Sequence, residues 1–176
     1  MTPVGLVAVC EAVAVAWRDV VATRPRLAVA AVDLSEPGNA GTVIRLSHAM
    51  GAEAVILAGH SVDPYNAKCL RASAGSVFAV PLVVESDAVA AVTALSEAGL
   101  RILATTADGE VSLDVADVSG CVAWLFGSEA HGLRPDVAAM ADARVRIPMP
   151  GGAESLNVAA AAAICLYQSA RAQRDA

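Results

Sequence analysis

Short apolar runs alternate with Ala-rich helical segments along most of the chain. The runs are continuous and rich in Val, Ile and Leu, which is typical of parallel strands covered on both faces. They predict strands over Leu27–Val32, Ala54–Leu57, Ala79–Val83, Arg101–Ala104, Val122–Phe126 and Val145–Ile147. Helices are predicted over Ala40–Met50, Tyr65–Ala74, Asp87–Ala98, Arg134–Met140 and Leu156–Ala170. The alternation indicates an α/β fold, a parallel sheet with helices on both faces.

The chain of 176 residues suits a single domain with one sizeable core. Residues 1–26 are less regular and end in a predicted turn at residues 23–26, so we interpret them as a remnant of a linker to another domain. The folded domain is then residues 27–176. Its polar and basic end, residues 169–176, is predicted to fray.

Although the hydrophobic fraction is 56%, charged or turn residues interrupt every apolar stretch before it reaches the roughly 20 residues that span a bilayer. The apolar segment near the N-terminus lacks a preceding basic region and is interrupted by Glu11, which argues against a signal peptide. We therefore predict a cytoplasmic protein with no membrane partner.

The four cysteines lie far apart, with no C-x-x-C pair and no histidine at ligand spacing. This pattern predicts reduced, mostly buried thiols and no metal site. The net charge of −6 argues against a protein that holds nucleic acid by bulk electrostatics, because phosphate contacts need clustered Lys and Arg. An RNA partner would depend on the local placement of the twelve basic residues.

Residues 33–45, DLSEPGNAGTVIR, form a turn-rich segment that leaves a strand and opens a helix. Asn39 is predicted to cap that helix through its side-chain oxygen. Arg45 falls in the second turn, facing away from the core to which Ile44 points. Taken alone, this segment is better explained as a plain helix cap followed by a solvated arginine than as a functional site.

Two later segments have similar character. Residues 124–133, WLFGSEAHGL, carry a strand into two glycines that bracket Glu129, and ligands of open parallel sheets bind at such strand ends. Residues 146–159, RIPMPGGAESLNVA, form a Pro- and Gly-rich loop in which Ser155 or Asn157 begins a helix. Such a loop can wrap an apolar or planar ligand with backbone groups. Each segment by itself also fits an ordinary turn or connector.

Together and in this order, the three segments resemble the SpoU/TrmH group of the SPOUT superfamily of RNA methyltransferases. The group's first motif, N-x-G-x-x-x-R, is matched by Asn39, Gly41 and Arg45. Its second, G-x-E, is matched by Gly127 and Glu129. Its third, from I-P-M to S-L-N, is matched by Ile147, Pro148, Met149, Ser155, Leu156 and Asn157. Residues 68–81, KCLRASAGSVFAVP, are also similar to the group's intervening segment. The resemblance spans about residues 27–170.

The resemblance implies a sheet whose C-terminal segment threads a loop as a deep trefoil knot. It also implies a homodimer that packs the knotted regions together and completes the active site across the interface. S-adenosylmethionine (SAM) would bind bent within the knotted loops, with no metal. The residues implied to line that site are Leu103, Ala104, Thr105, Gly127, Ile147, Met149, Leu156 and Asn157.

The implied reaction is methyl transfer from SAM to a ribose 2′-hydroxyl of structured RNA, giving S-adenosylhomocysteine, with rRNA favoured over tRNA. The implied catalytic group is Arg45, Asn39, Glu129, Ser155 and Asn157. A guanidinium is a poor base in water, so we assign Arg45 to phosphate anchoring and electrostatic stabilisation. The others would hold the motif loops and Arg45 in place.

Two other functions compete with this one. A non-catalytic SAM- or RNA-binding dimeric accessory module would have the same fold, but it would not need to keep Arg45, Glu129 and Asn157 together. A different enzyme on an ordinary doubly wound sheet is disfavoured because no G-x-G-x-x-G follows the first strand.

Overall fold

The computed structural model describes residues 9–174, which form one sheet with helices on both faces. The strands are β1 (Leu27–Val32), β2 (Ala54–Ala58), β3 (Leu82–Glu85), β4 (Arg101–Thr105), β5 (Val111–Ser112), β6 (Val122–Phe126) and β7 (Ala143–Arg146). All pairings are parallel, in the order β3-β2-β1-β6-β4-β7-β5. The helices are α1 (Trp17–Thr23), α2 (Pro37–Ala49), α3 (Ala67–Ser73), α4 (Ala88–Glu97), α5 (Pro135–Ala138) and α6 (Val158–Arg174).

Two apolar layers explain the continuous hydrophobic runs. Along β1, Val29 and Ala31 pack into the layer that α2, α3 and α6 cover, whereas Ala28 and Ala30 pack into the layer under α1, α4 and α5. Successive side chains of a strand point to opposite faces, so a strand buried on both sides must be apolar at every position. The predicted α/β architecture is confirmed.

Helices α2 and α3 approach each other closely at Gly41. A Cβ atom at this position would lie 2.3 Å from the Cys69 carbonyl oxygen and 2.9 Å from the Ser73 amide nitrogen. Only glycine allows this contact between the two helices. The glycine of the first motif therefore sets the helix packing that supports the neighbouring loop.

Helix α6 runs further than predicted and its end is anchored. The Trp124 indole N–H donates to the Ser169 hydroxyl at 2.9 Å, and both side chains are fully buried. Near the end of the helix, the Gln173 side-chain amide donates to the carbonyl oxygens of Arg26 at 3.1 Å and Gly120 at 3.0 Å. The prediction that residues 169–176 fray is wrong as far as Arg174, because tertiary contacts hold this polar segment; residues 175–176 lie outside the described part.

Replacing Ser169 with alanine is expected to lower the free energy of unfolding by about 1–3 kcal/mol, because it leaves the buried Trp124 N–H without an acceptor. Thermal denaturation should show a melting temperature lower by roughly 3–10 °C. The matched control is Ser96→Ala, at an exposed position on α4, which should leave the melting temperature unchanged. Equal melting temperatures for both variants would contradict the role of Ser169.

Several element boundaries differ from those predicted. The third strand begins at Leu82 rather than Ala79 because a 3₁₀ turn occupies Ser76–Phe78. The last strand ends at Arg146, and α5 is a single turn. Helix α1 and the two-residue strand β5 were not predicted, since both are too short to leave a hydrophobic period.

The described part of the N-terminal segment packs on the edge of the sheet. The Val15 amide donates to the Leu82 carbonyl oxygen at 2.8 Å, and the Trp17 indole donates to the Glu85 carboxylate at 3.1 Å. Val20 is buried. Residues 1–8 lie outside the described part, and the origin of residues 1–26 as a linker stays a prediction.

The structure buries two of the four thiols, fewer than predicted. Cys69 and Cys165 lie in the core, where burial raises the pKa of Cys69 to about 11 and that of Cys165 to about 12. Cys10 and Cys121 are exposed. Within residues 9–174, no helix combines the length and apolar character needed to cross a bilayer.

Candidate active site

Helix α2 starts earlier than predicted, which frees Asn39 for another role. Pro37 occupies the first position, where proline is favoured, and the N-cap is Glu36, whose carboxylate accepts from the Gly38 amide at 3.1 Å. Lys68 forms an ion pair with Glu36 and lowers the pKa of that carboxyl. The prediction that Asn39 caps the helix is therefore wrong: its side chain leaves the first turn and points to other loops.

Asn39 joins all three motif segments through side-chain hydrogen bonds. Its Nδ2 donates to Glu129 Oε1 at 2.8 Å, and its Oδ1 accepts from Asn157 Nδ2 at 3.1 Å. Asn157 Oδ1 in turn accepts from the amides of Ala159 at 2.9 Å and Ala160 at 3.4 Å, which caps α6 as predicted. We call the Asn157–Asn39–Glu129 series the polar chain.

The cap fixes the direction of the polar chain. Because the Asn157 oxygen is used by the first amides of α6, its NH₂ group must face Asn39. The Asn39 oxygen then faces Asn157 and its NH₂ group faces the Glu129 carboxylate. The helix therefore orients a carboxylate that lies in a different motif, through two amides that each donate and accept.

Asn157→Asp is expected to preserve the cap of α6 but to break the polar chain, because a carboxylate cannot donate to the Asn39 oxygen. The melting temperature should be retained while cofactor affinity or turnover falls about tenfold. The control is Asn66→Asp, which makes the same change at the cap of α3. A fully active Asn157→Asp variant would show that the polar chain has no functional role.

The second motif forms a tight hairpin directly after β6. The amides of Ser128 and Gly132 bond to each other's carbonyl oxygens at 3.0 and 2.9 Å. A Cβ atom on Gly127 would lie 2.1 Å from the Gly132 carbonyl carbon and 2.2 Å from the Leu133 nitrogen. We call residues 128–132 the hairpin. It can form only if residue 127 is a glycine.

A cavity of about 440 Å³ lies between this hairpin, the loop after β4 and the loop before α6. Its apolar wall includes Ile147, Met149 and Leu156, and its carboxylates are Asp108 and Glu129. Arg144 pairs with Asp108, which holds the pKa of that carboxyl below its ordinary value. Glu129 has no cationic partner among the described residues, so the cavity carries an uncompensated negative charge.

The structure brings most of the predicted cofactor residues to this cavity. Its lining includes Thr105, Gly127, Ile147, Met149, Leu156, Ser155 and Glu129. Leu103 and Ala104 do not line it; both lie on β4 and are almost fully buried. Asn157 does not line it either, and acts on it through the polar chain.

Sequence reasoning missed the loop that follows β4, where Thr106, Ala107 and Asp108 line the cavity. Their position just after a parallel strand was the available signal. The hydroxyls of Thr105 and Thr106 are buried without a hydrogen-bond partner of normal geometry among the described residues. Within residues 9–174, no group of three or more potential metal-binding side chains occurs.

Arg45 lies apart from the rest of the predicted catalytic group. It is exposed on α2, six residues after Asn39, which places it about 9 Å further along the helix axis. It does not line this cavity, and it forms no ion pair with a described residue. Among the described residues, Arg45 and Glu129 therefore share no hydrogen bond or ion pair.

Comparison with known proteins identifies close relatives. The 23S rRNA (guanosine-2′-O-)-methyltransferase RlmB of Nitrosomonas europaea is 32% identical over 149 residues, covering 85% of this chain and 57% of its own. An uncharacterized tRNA/rRNA methyltransferase of Mycolicibacterium vanbaalenii is 34% identical over 152 residues, covering 86% of this chain and 48% of its own. The chain thus spans about half the length of these curated relatives.

Among solved structures, the SpoU methyltransferase AviRb from Streptomyces viridochromogenes, crystallised with AdoMet, has a TM-score of 0.78 and 34% identity. The match covers 85% of this chain and 61% of that one. The sequence pattern of the SpoU rRNA Methylase family matches residues 26–167. The match includes all three motif segments, and the chain belongs to this SpoU methylase family.

Proposed function

We propose that this chain transfers a methyl group from SAM to a ribose 2′-hydroxyl of structured RNA. The observation that carries the proposal is the polar chain, which bonds the first family motif to the second and third motifs, and these two line one cavity. Relatives named as rRNA 2′-O-methyltransferases support RNA as the substrate, and rRNA as the first class to test.

The residues of the cavity fit SAM. The apolar wall of Ile147, Met149 and Leu156 suits a flat adenine, and the buried Thr105 and Thr106 hydroxyls offer hydrogen bonds to polar edges. Lys and Arg are absent from the described lining, while Glu129 is negative, which favours a cationic ligand. A volume of about 440 Å³ falls in the range of ordinary ligand sites.

When bound, SAM supplies an electrophilic methyl group on a positively charged sulfonium. The protein's task is then to place a 2′-hydroxyl in line with that methyl and to support loss of the hydroxyl proton. Glu129, held by Asn39, fixes the hairpin wall against which both substrates meet. Arg45 is assigned to anchoring the RNA phosphate. Its fixed positive charge also stabilises the negative charge that develops on the ribose 2′-oxygen as the hydroxyl loses its proton.

We also infer the trefoil knot, which the pairing order alone does not establish. The end of α6 lies against the residues that precede β6, since Gln173 bonds to Gly120, and Leu113 and Val118 share a core layer with α6. Arg146 on β7 donates to the carbonyl oxygens of Gly109 at 2.8 Å and Glu110 at 3.0 Å. These contacts support the proposal that the C-terminal segment threads the loop of residues 106–121.

A homodimer is the proposed functional unit. On α6, Ala160, Ile164 and Tyr167 lie at helical spacing on one exposed face, and Ile164 and Tyr167 are 39% and 52% exposed. An exposed apolar stripe beside the cavity is typical of an interaction surface. A dimer across this face would also bring Arg45 of a second protomer towards the site that lacks it.

Ile164→Glu is expected to convert the dimer to monomers, because it places a charge in the centre of the apolar stripe. Light scattering coupled to size exclusion measures the mass directly. Val89→Glu makes the same change at another exposed apolar residue, 37% exposed on α4 on the opposite face of the sheet, and should stay dimeric. If Ile164→Glu also keeps the mass of a dimer, the interface lies elsewhere.

The proposed activity is tested by incubating the chain with methyl-labelled SAM and, separately, with total rRNA and total tRNA. Nuclease digestion of labelled RNA should yield 2′-O-methylated nucleosides. SAM binding by calorimetry, measured on the same sample, separates the competing function. SAM binding without incorporation into either RNA would overturn the catalytic proposal for this chain and favour an accessory module.

A further inference from the structure

A second cavity of about 470 Å³ adjoins the hairpin. Asp33 and Ser35, which follow β1, form one side, and Arg134, which follows the hairpin, forms another. Ser128, Ala130, His131, Gly132 and Leu133 line both cavities. The two cavities therefore adjoin, and the hairpin is a wall that they share.

Local contacts fix the side chain of Asp33 at this position. Its φ of 54° lies in the left-handed region, which aspartate adopts more readily than most non-glycine residues. Its Oδ1 accepts from the His60 amide at 2.8 Å, and a Cβ on Gly59 would lie 2.3 Å from that oxygen. Oδ2 accepts no hydrogen bond from the described residues, so a rigidly placed carboxylate retains an open acceptor.

Arg134 supplies the complementary donor. Its Nε and Nη2 bond to the two oxygens of Asp136 at 3.1 and 2.6 Å, which orients the guanidinium and leaves Nη1 available. The pKa of Arg134 is raised, mainly by Asp136 and further by the charges of Asp33 and Asp87. Asp136 pairs with Arg134 and Asp33 lines the same cavity, so the cavity has no surplus of positive charge, disfavours a phosphate and suits an uncharged ligand with both donors and acceptors.

We propose that this second cavity holds the base of the nucleotide whose ribose is methylated. Asp33 accepts an N–H from the polar edge of the base, and Arg134 donates to an adjacent carbonyl oxygen or ring nitrogen. A ribose attached at the mouth of the cavity then reaches over the tip of the hairpin, at His131, towards the cofactor. The inference rests on the proposed function and assigns the substrate side of the same site.

The test is a titration of the isotope-labelled chain with GMP, UMP, CMP and AMP, with and without S-adenosylhomocysteine, followed by the NMR shifts of backbone amides. At least one mononucleotide should shift the amides of residues 33–35 and 128–135. Asp33→Asn should weaken that binding about tenfold or more, because the amide keeps the bond from His60 but loses the charged acceptor. Asparagine also tolerates a positive φ, so the fold is preserved.

The matched control is Asp87→Asn, which removes a charge that also acts on Arg134 but lies outside the cavity, at the cap of α4. It should bind mononucleotides as the wild type does. The proposal is overturned if no mononucleotide shifts these amides at millimolar concentration, or if Asp33→Asn binds as tightly as the wild type. If the wild type methylates rRNA but Asp33→Asn binds mononucleotides as tightly as the wild type, the base site is refuted and the proposed function is not. If mononucleotides bind as expected but the chain methylates no RNA, the proposed function is refuted and the nucleotide-binding cavity is not.

Discussion

Arg45→Ala is expected to reduce methyl transfer to RNA by about 100-fold or more, with SAM affinity unchanged. The loss is large because a fixed cation that stabilises developing charge acts mainly in the transition state. SAM affinity should be retained because Arg45 does not line the cofactor cavity. Single-turnover transfer from labelled SAM and calorimetric SAM binding measure the two effects separately.

The control for this variant is Arg18→Ala, which removes an exposed arginine on α1, on the opposite face of the sheet. Arg45→Lys keeps the charge without the planar fork and should recover part of the rate. Normal transfer together with unchanged RNA binding in Arg45→Ala would exclude phosphate anchoring by this residue.

Gly127→Ala is expected to lower the affinity for SAM by about 100-fold or more. The added methyl group would meet backbone atoms of Gly132 and Leu133 within 2.2 Å, and backbone cannot move aside without opening the hairpin. That hairpin forms one wall of the cofactor cavity and carries Glu129. Calorimetry measures the affinity, and circular dichroism checks that the sheet is retained.

Gly120→Ala is the matched control, because a Cβ at residue 120 meets nothing within 4 Å. It should bind SAM as the wild type does. Tight SAM binding by Gly127→Ala would mean that the hairpin does not form the cofactor wall.

Mixing Arg45→Ala with Gly127→Ala tests whether the site is shared between protomers. A mixed dimer contains one protomer with an intact cofactor cavity and another with an intact Arg45. If Arg45 acts across the dimer, mixing restores activity; if it acts within its own protomer, the mixture stays inactive. The roughly 9 Å that separate Arg45 from Asn39 along α2 favour restoration.

The sequence by itself determined the architecture and the order of the motifs. Continuous apolar runs such as Leu27–Val32 predict strands buried on both faces, and this depends only on local residue types. The three motif segments likewise identified the family, because their residues and spacing are readable without coordinates. Part of the cavity lining followed from the same motifs, including Gly127, Met149 and Leu156.

Only the tertiary structure decided what the motif residues do. Asn39 is a residue type favoured at helix N-caps. Its side-chain partners, Glu129 and Asn157, lie 90 and 118 residues away, and no local pattern encodes such a contact. From the sequence, Ser169 is predicted to belong to a frayed tail, but in the structure its hydroxyl accepts the hydrogen bond of the Trp124 indole. Separations of this kind depend on how the whole chain packs. The polar chain, the anchored end of α6 and the position of Arg45 outside its own cavity were therefore beyond the reach of sequence periodicity.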